Sequence, residues 1–227
     1  MGILVDGLAI SFGALLGSLF KSKVVLKRND IFGIGILIIS AVGIIENLFG
    51  VSSDGIKGDG VLIVVGALIL GYTLGEMMKL ETRILNMSQK DGKKVNAFVD
   101  AVIFFGIGGL QICGPILLAM QNDSSQLYIK GLIDFPFALM FGAIYGYAVM
   151  LAAIPVAFVQ IAIAVSAYFL GDFISVDMLS QICSIGYIIL FFSGFNMLCS
   201  ESRKISCVNM LPSILIVIIC NIISGLF

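Results

Sequence analysis

From Phe135 to Gly171 the chain carries no Asp, Glu, Lys or Arg over 37 residues. As a single helix rising about 1.5 Å per residue the run would be roughly 55 Å long. A bilayer core is about 30 Å thick and takes about 20 residues of helix. The run is therefore predicted to form two helices joined by a tight turn near Tyr147–Ala153. Lipid offers no hydrogen bonds, so that turn must satisfy its backbone at an interface. Its setting agrees: 59% of the 227 residues are hydrophobic and 12% are charged, with mean hydropathy +1.13. A soluble domain carries about 25% charge. The expected fold class is an all-α integral membrane protein.

Eight apolar segments are expected to span, at residues 2–20, 31–50, 60–78, 97–120, 128–147, 149–170, 178–199 and 207–226, as one polytopic domain over 1–227. No basic region precedes the first segment and Asp6 interrupts it early, so it reads as a retained helix rather than a secretory signal. Eleven of the thirteen basic residues then fall on one side, in the Lys21–Arg28, Lys79–Lys94 and Arg203–Lys204 connections, leaving only Lys57 and Lys130 on the other. Positive charge marks the cytoplasmic face, so both termini are expected to be external. Between Lys79 and Val95, Leu80, Ile84, Leu85 and Met87 form either one face of a short interfacial helix or part of an ordinary loop.

Phe12-Gly13-Ala14-x-x-Gly17 is echoed by Phe141-Gly142-Ala143-x-x-Gly146. In the eight-span reading these two segments run the same way, which would suit two parallel four-helix halves. Small-xxx-small pairs at Gly13/Gly17, Gly71/Gly75 and Gly142/Gly146 favour helix contact in lipid, within one bundle or between copies.

Composition excludes several functions. Charge is nearly balanced, at net −1, without the basic stripe of a nucleic-acid binder. There is no histidine, which removes the commonest metal ligand and neutral-pH base. Cys113, Cys183, Cys199, Cys207 and Cys220 are odd in number and lack a C-x-x-C, so they read as small apolar packing residues.

Function is sought where polar groups stand in hydrocarbon. An ionisable side chain at a helix centre costs at least about 2.5–3.5 kcal/mol, and residues that bear the cost face the bundle interior or water. The carboxylates are Asp6, Glu46, Glu76, Asp100 and Asp134; Gln111, Gln160, Asn196, Asn209 and Asn221 accompany them. Glu46 and Glu76 lie near segment ends. Asp134 lies about two turns inside the fifth segment, two residues before Pro136. It reads either as a site residue beside a broken helix or as the N-cap of a helix starting near Pro136. Gln111 stands in Gly106-Ile-Gly-Gly-Leu-Gln-Ile-Cys-Gly-Pro115. That run is either a discontinuous helix lining a site or a kink permitting close packing.

The chain resembles the YqgA-like bacterial membrane proteins, domain-of-unknown-function family 554. The likeness rests on Val5-Asp-Gly-Leu-Ala with Gly13-Ala-Leu-Leu-Gly17, Leu74-Gly-Glu76, Leu132-Ile-Asp134-Phe-Pro-Phe through Ile154-Pro155-Val and Gln160, and Val208-Asn-Met-Leu-Pro212. This sequence has Asp6 where the family often carries asparagine. The resemblance implies a multi-span inner-membrane protein. It draws attention to Glu76, Asp134, Gln160 and Asn209 without assigning roles.

The function expected is a secondary transporter or permease for a small cationic or neutral solute, coupled to protons or cations. Its binding residues would be Asp134, Asp6, Gln111, Gln160, Glu76 and Asn209. Apart from Lys130 near an end, no basic residue lies in an expected span, which favours a cation or neutral solute over an anion. Partners would be the bilayer, the solute and further copies of the chain, with no cofactor. The alternative is a non-transporting membrane scaffold or assembly factor. An enzyme is not expected, because no histidine activates Ser40, Ser166 or Ser193; an Asp100–Asp134 pair sharing a proton is the remaining catalytic arrangement.

Overall fold

The computed structural model describes residues 1–20, 29–52, 55–57, 60–83, 93–106, 109–171, 174–199 and 204–224. Its helices are α1 (Gly2–Phe20), α2 (Asn29–Leu48), α3 (Val61–Met77), α4 (Lys93–Gly106), α5 (Gly109–Gln121), α6 (Ser125–Tyr145), α7 (Ala153–Leu170), α8 (Val176–Leu198) and α9 (Pro212–Ser224). Short 3₁₀ helices at Tyr147–Ala152 and Val208–Met210 lead into α7 and α9. Two short strands, β1 (Gly50–Ser52) and β2 (Gly55–Lys57), pair antiparallel with Val51 opposite Ile56.

Among the described residues, four stretches are long and apolar enough to cross a bilayer: Gly2–Leu19, Ser125–Tyr145, Tyr147–Leu170 and Val176–Leu198. Four shorter apolar helices cover Gly33–Leu48, Val61–Met77, Leu110–Gln121 and Val208–Ser224. The charge-free run divides as its length demands. Helix α6 stops at Tyr145, and Gly146 takes φ +83, a left-handed conformation that glycine adopts without Cβ strain. The chain then turns into the 3₁₀ helix and α7.

One expectation is corrected here. No helix starts at Pro136; α6 begins at Ser125 and continues through the proline. Proline removes one N–H donor and leaves the rest of the ladder intact, so Asp134 is an interior residue and not a cap. Of the interfacial helix expected after Lys79, residues 80–83 form a helical turn; its remainder, like the Lys21–Arg28 connection, lies outside the described residues.

The chain packs as two compact units, and each is assembled from two separate stretches of the sequence. This differs from the expected division into consecutive four-helix halves, because packing partners are distant in sequence. The first unit holds residues 1–32 and 84–171, and the second holds 33–83 and 172–227.

In the first unit α1 lies directly on α6. A Cβ on Gly13 would meet the Phe135 carbonyl and Ala138, one on Gly17 would meet the Leu139 backbone and Ala143, and one on Gly142 would meet the Ala14 backbone. Contact numbers rise together along both helices, so they run parallel. Gly13, Gly17 and Gly142 of the two echoed motifs thus meet in one close helix pair, as small residues permit, whereas Gly146 lies past the end of α6 with nothing against it among the described residues. Phe104 ties α4 to α6 through Phe137 and Phe141, with ring centroids 4.8 and 5.0 Å away. Leu4, Leu8, Phe12 and Leu19 of α1 and Ile154, Phe158, Ile161 and Val165 of α7 point outward, while polar side chains are enclosed. An outer face more apolar than the interior suits lipid as the surrounding solvent.

In the second unit contact numbers run in opposite senses. Gly71 meets Ser213 and Gly75 meets Asn209, so α3 and α9 are antiparallel. Gly33 meets Gly194 and Gly43 meets the Tyr187 ring, so α2 and α8 are antiparallel as well.

Candidate functional site

Helix α6 places Lys130 and Asp134 four residues apart, on one face. Beside them α1 packs at Gly131, where a Cβ would stand at an ordinary contact distance of 3.4 Å from Asp6 Cα. The ammonium of Lys130 consequently reaches two carboxylates. It donates to Asp6 Oδ2 at 2.8 Å and also to Asp134 Oδ2.

The other two walls supply amides. From α7, Gln160 Nε2 donates to Asp6 Oδ2 at 2.6 Å and to Gln111 Oε1 at 3.0 Å. Gln111 is the third residue of α5, just past the glycine-rich stretch, and its Nε2 donates to the Val156 carbonyl of α7 at 3.1 Å. Asp6 and Gln160 are fully buried, and none of the five residues is more than 7% exposed. Asp134 lies nine residues beyond the start of α6, about 14 Å along a helix.

The cluster is neither charge-balanced nor fully satisfied. Two carboxylates face one ammonium. Asp6 Oδ2 accepts two hydrogen bonds, whereas Asp6 Oδ1 and Gln160 Oε1 are enclosed without a partner among the described residues. Buried acceptors left unpaired are costly, and the surplus negative charge is costlier. The arrangement is chemically suited to taking up one positive charge, as a proton on a carboxylate oxygen or as a small cation held by oxygen ligands.

Of the residues expected at a site, the structure unites Asp6, Gln111, Asp134 and Gln160. Glu76 and Asn209 belong to the other unit. Glu76 is exposed at the end of α3. Asn209 packs its backbone on Gly75 and accepts from the Glu81 N–H at 3.4 Å, which makes it a joint between segments. The side chain of Asp100 lies outside the described residues. The hydroxyls of Ser40, Ser166 and Ser193 donate to carbonyls of their own helices at 2.7, 2.8 and 3.0 Å. Lys130 was missed as a site residue. The usable signal was its four-residue spacing from Asp134. With Lys130 inside the cluster, it is the surplus carboxylate, not an absence of basic residues, that disfavours an anion there.

Residues 1–222 match the model of a family described as protein of unknown function, DUF554. The "Uncharacterized membrane protein YdfK" of Bacillus subtilis (strain 168) is 25% identical over 220 residues, covering 95% of this chain and 93% of that one. The "Uncharacterized protein YqgA" of Escherichia coli (strain K12) is 25% identical over 238 residues, covering 95% and 94%. No solved structure matches.

Proposed function

We propose that this chain, which belongs to the DUF554 family, is a secondary transporter or permease for a small cationic or neutral solute. The Asp6–Lys130–Asp134 cluster is its coupling site for a proton or cation. One observation carries the reading: two carboxylates and one ammonium are buried together, with the Asp6 Oδ1 acceptor unpaired. A structural ion pair needs one carboxylate per ammonium. A second one adds a cost that function, not folding, explains.

The reading takes all eight apolar segments as crossings of the bacterial inner membrane, with both termini external. Helix directions support it: the first and fifth segments run parallel, and the second and seventh, like the third and eighth, run antiparallel. Alternating crossings require those directions. The scaffold alternative loses its main sign, because the glycine faces at Gly13/Gly17, Gly71/Gly75 and Gly142 are occupied inside the chain. No enzymatic role is proposed.

The test is proton movement. Protein reconstituted in vesicles containing a pH dye should transmit protons when an inward gradient is imposed together with a solute mixture. Asp134→Asn keeps the side chain's shape and should abolish the signal while leaving folding nearly intact. Equal signals from the variant and the parent would overturn the coupling role.

A further inference from the structure

A second polar feature lies wholly within the second unit. A cavity of about 500 Å³ opens among α2, α3, α8 and α9. Such a volume is in the range of small-molecule sites, which run from about 300 to 1,000 Å³. Glu46 and Asp177 stand exposed at its rim, with Ser224 beside them. Gln181 and Ser184 are buried at its floor, next to Asn221 and the apolar wall of Val64. No Lys or Arg lines it among the described residues.

Gln181 is the informative side chain. It is 8% exposed, and its Oε1 accepts from Asn221 Nδ2 at 2.8 Å. Its Nε2 has no hydrogen-bond partner among the described residues, although the residue lines the cavity. Gly60 keeps the space open there, since a Cβ on it would stand 3.1 Å from that Nε2. The nitrogen is not among the enclosed unpaired atoms and is open to the cavity. The amide is held by its own oxygen and presents its N–H₂ to whatever enters.

We propose that this cavity binds a small hydroxylated organic cation, such as an amino alcohol or amino sugar. The two rim carboxylates take the ammonium group. The Gln181 amide donates to one hydroxyl oxygen, Ser184 Oγ, whose own proton goes to the Ser180 carbonyl at 2.8 Å, accepts from another hydroxyl, and the absence of basic side chains rejects anions. As a binding site the inference stands on the second unit alone; as the substrate site of a transporter it rests on the function proposed above. Glu46, Asp177 and Ser224 come from the ends of α2, α8 and α9 that the eight-span reading places outside, so the mouth faces incoming solute.

The experiment is titration calorimetry on the purified full chain with D-glucosamine. D-Glucose, which replaces the ammonium by a hydroxyl, and cyclohexylamine, which lacks hydroxyls, are the comparators. Glucosamine should bind saturably and about tenfold or more tighter than either. The exposed pair Glu46→Gln and Asp177→Asn should together weaken it about tenfold or more without unfolding the protein, and Gln181→Leu should weaken it too. Glucose binding equally well, no saturable glucosamine binding, or insensitivity to the rim variant would overturn the proposal. Glucosamine binding without coupled proton movement would keep this site and remove the coupling reading; proton movement without glucosamine binding would do the reverse.

Discussion

Lys130 Nζ lies 2.8 Å from Asp6 Oδ2 although 124 residues separate the two in sequence. Breaking one side of a buried pair costs about 3–5 kcal/mol, because it strands the other charge. Here Lys130→Met strands two. It should destabilise the protein by at least that much in reversible unfolding, and Lys130→Met combined with Asp134→Leu should recover part of the loss. A single variant as stable as the parent would show that the lysine contributes no net stabilisation.

The α1–α6 contact admits no added side chain. Gly17 meets backbone of Leu139, which cannot rotate away. Gly17→Val should therefore cost more than the 1–3 kcal/mol typical of overpacking. Nothing lies within 4 Å of a Cβ on Gly7, so Gly7→Ala should be tolerated. Thermal unfolding of the two variants side by side checks the contrast.

Asp123 stands between α5 and α6, where its Oδ1 accepts from the Ser125 hydroxyl at 2.6 Å and the Ser125 N–H at 2.8 Å. These bonds, the hydroxyl first, hold its carboxyl below the ordinary value of 3.8. A lowered folded value stabilises above the ordinary one and is lost as pH falls through the lowered one. The first turn of α6 should consequently stay protected down to about pH 4 and fray below it. Amide exchange at Ser125 reads this directly. Asp123→Ala should fray the turn at neutral pH, and identical exchange in parent and variant would remove the cap.

Topology is checked independently of any ligand. A C-terminal reporter active only in the cytoplasm should stay silent, and one active only outside should respond. A strong cytoplasmic signal would sink the eight-span reading, and with it the outward mouth of the cavity.

Much of the helix layout was legible because apolar runs have a length and charges interrupt them. The turn was expected near Tyr147–Ala153 for that reason, whereas Gly146, read as a helix-contact glycine, is where the structure breaks α6. Asp6, Gln111, Asp134 and Gln160 were legible from cost alone, as polar groups deep in apolar sequence. Lys130 was not, since a lysine near a helix end ordinarily reaches the interface with its long stem. Its inward turn shows only in its bonds to Asp6 of α1 and Asp134, and the first of these is a tertiary fact. Gln181 was hidden for a similar reason: neighbours, not sequence, decide which amide nitrogen is left unpaired. The two interleaved units were equally illegible, because nothing local shows that α2 packs on α8 or α3 on α9.

The parallel pairing of α1 with α6 also sets a timetable. Asp6 leaves the ribosome long before Lys130, and at about 5–20 residues per second the 124-residue interval lasts roughly 6–25 s. Throughout it the first helix carries a carboxylate without its counter-ion. Asp6 lies one turn from the helix start, close enough for headgroup water to hold it during the wait. The cluster closes only when the fifth apolar segment arrives, so assembly of the first unit is late and post-insertional however early its first helix is made.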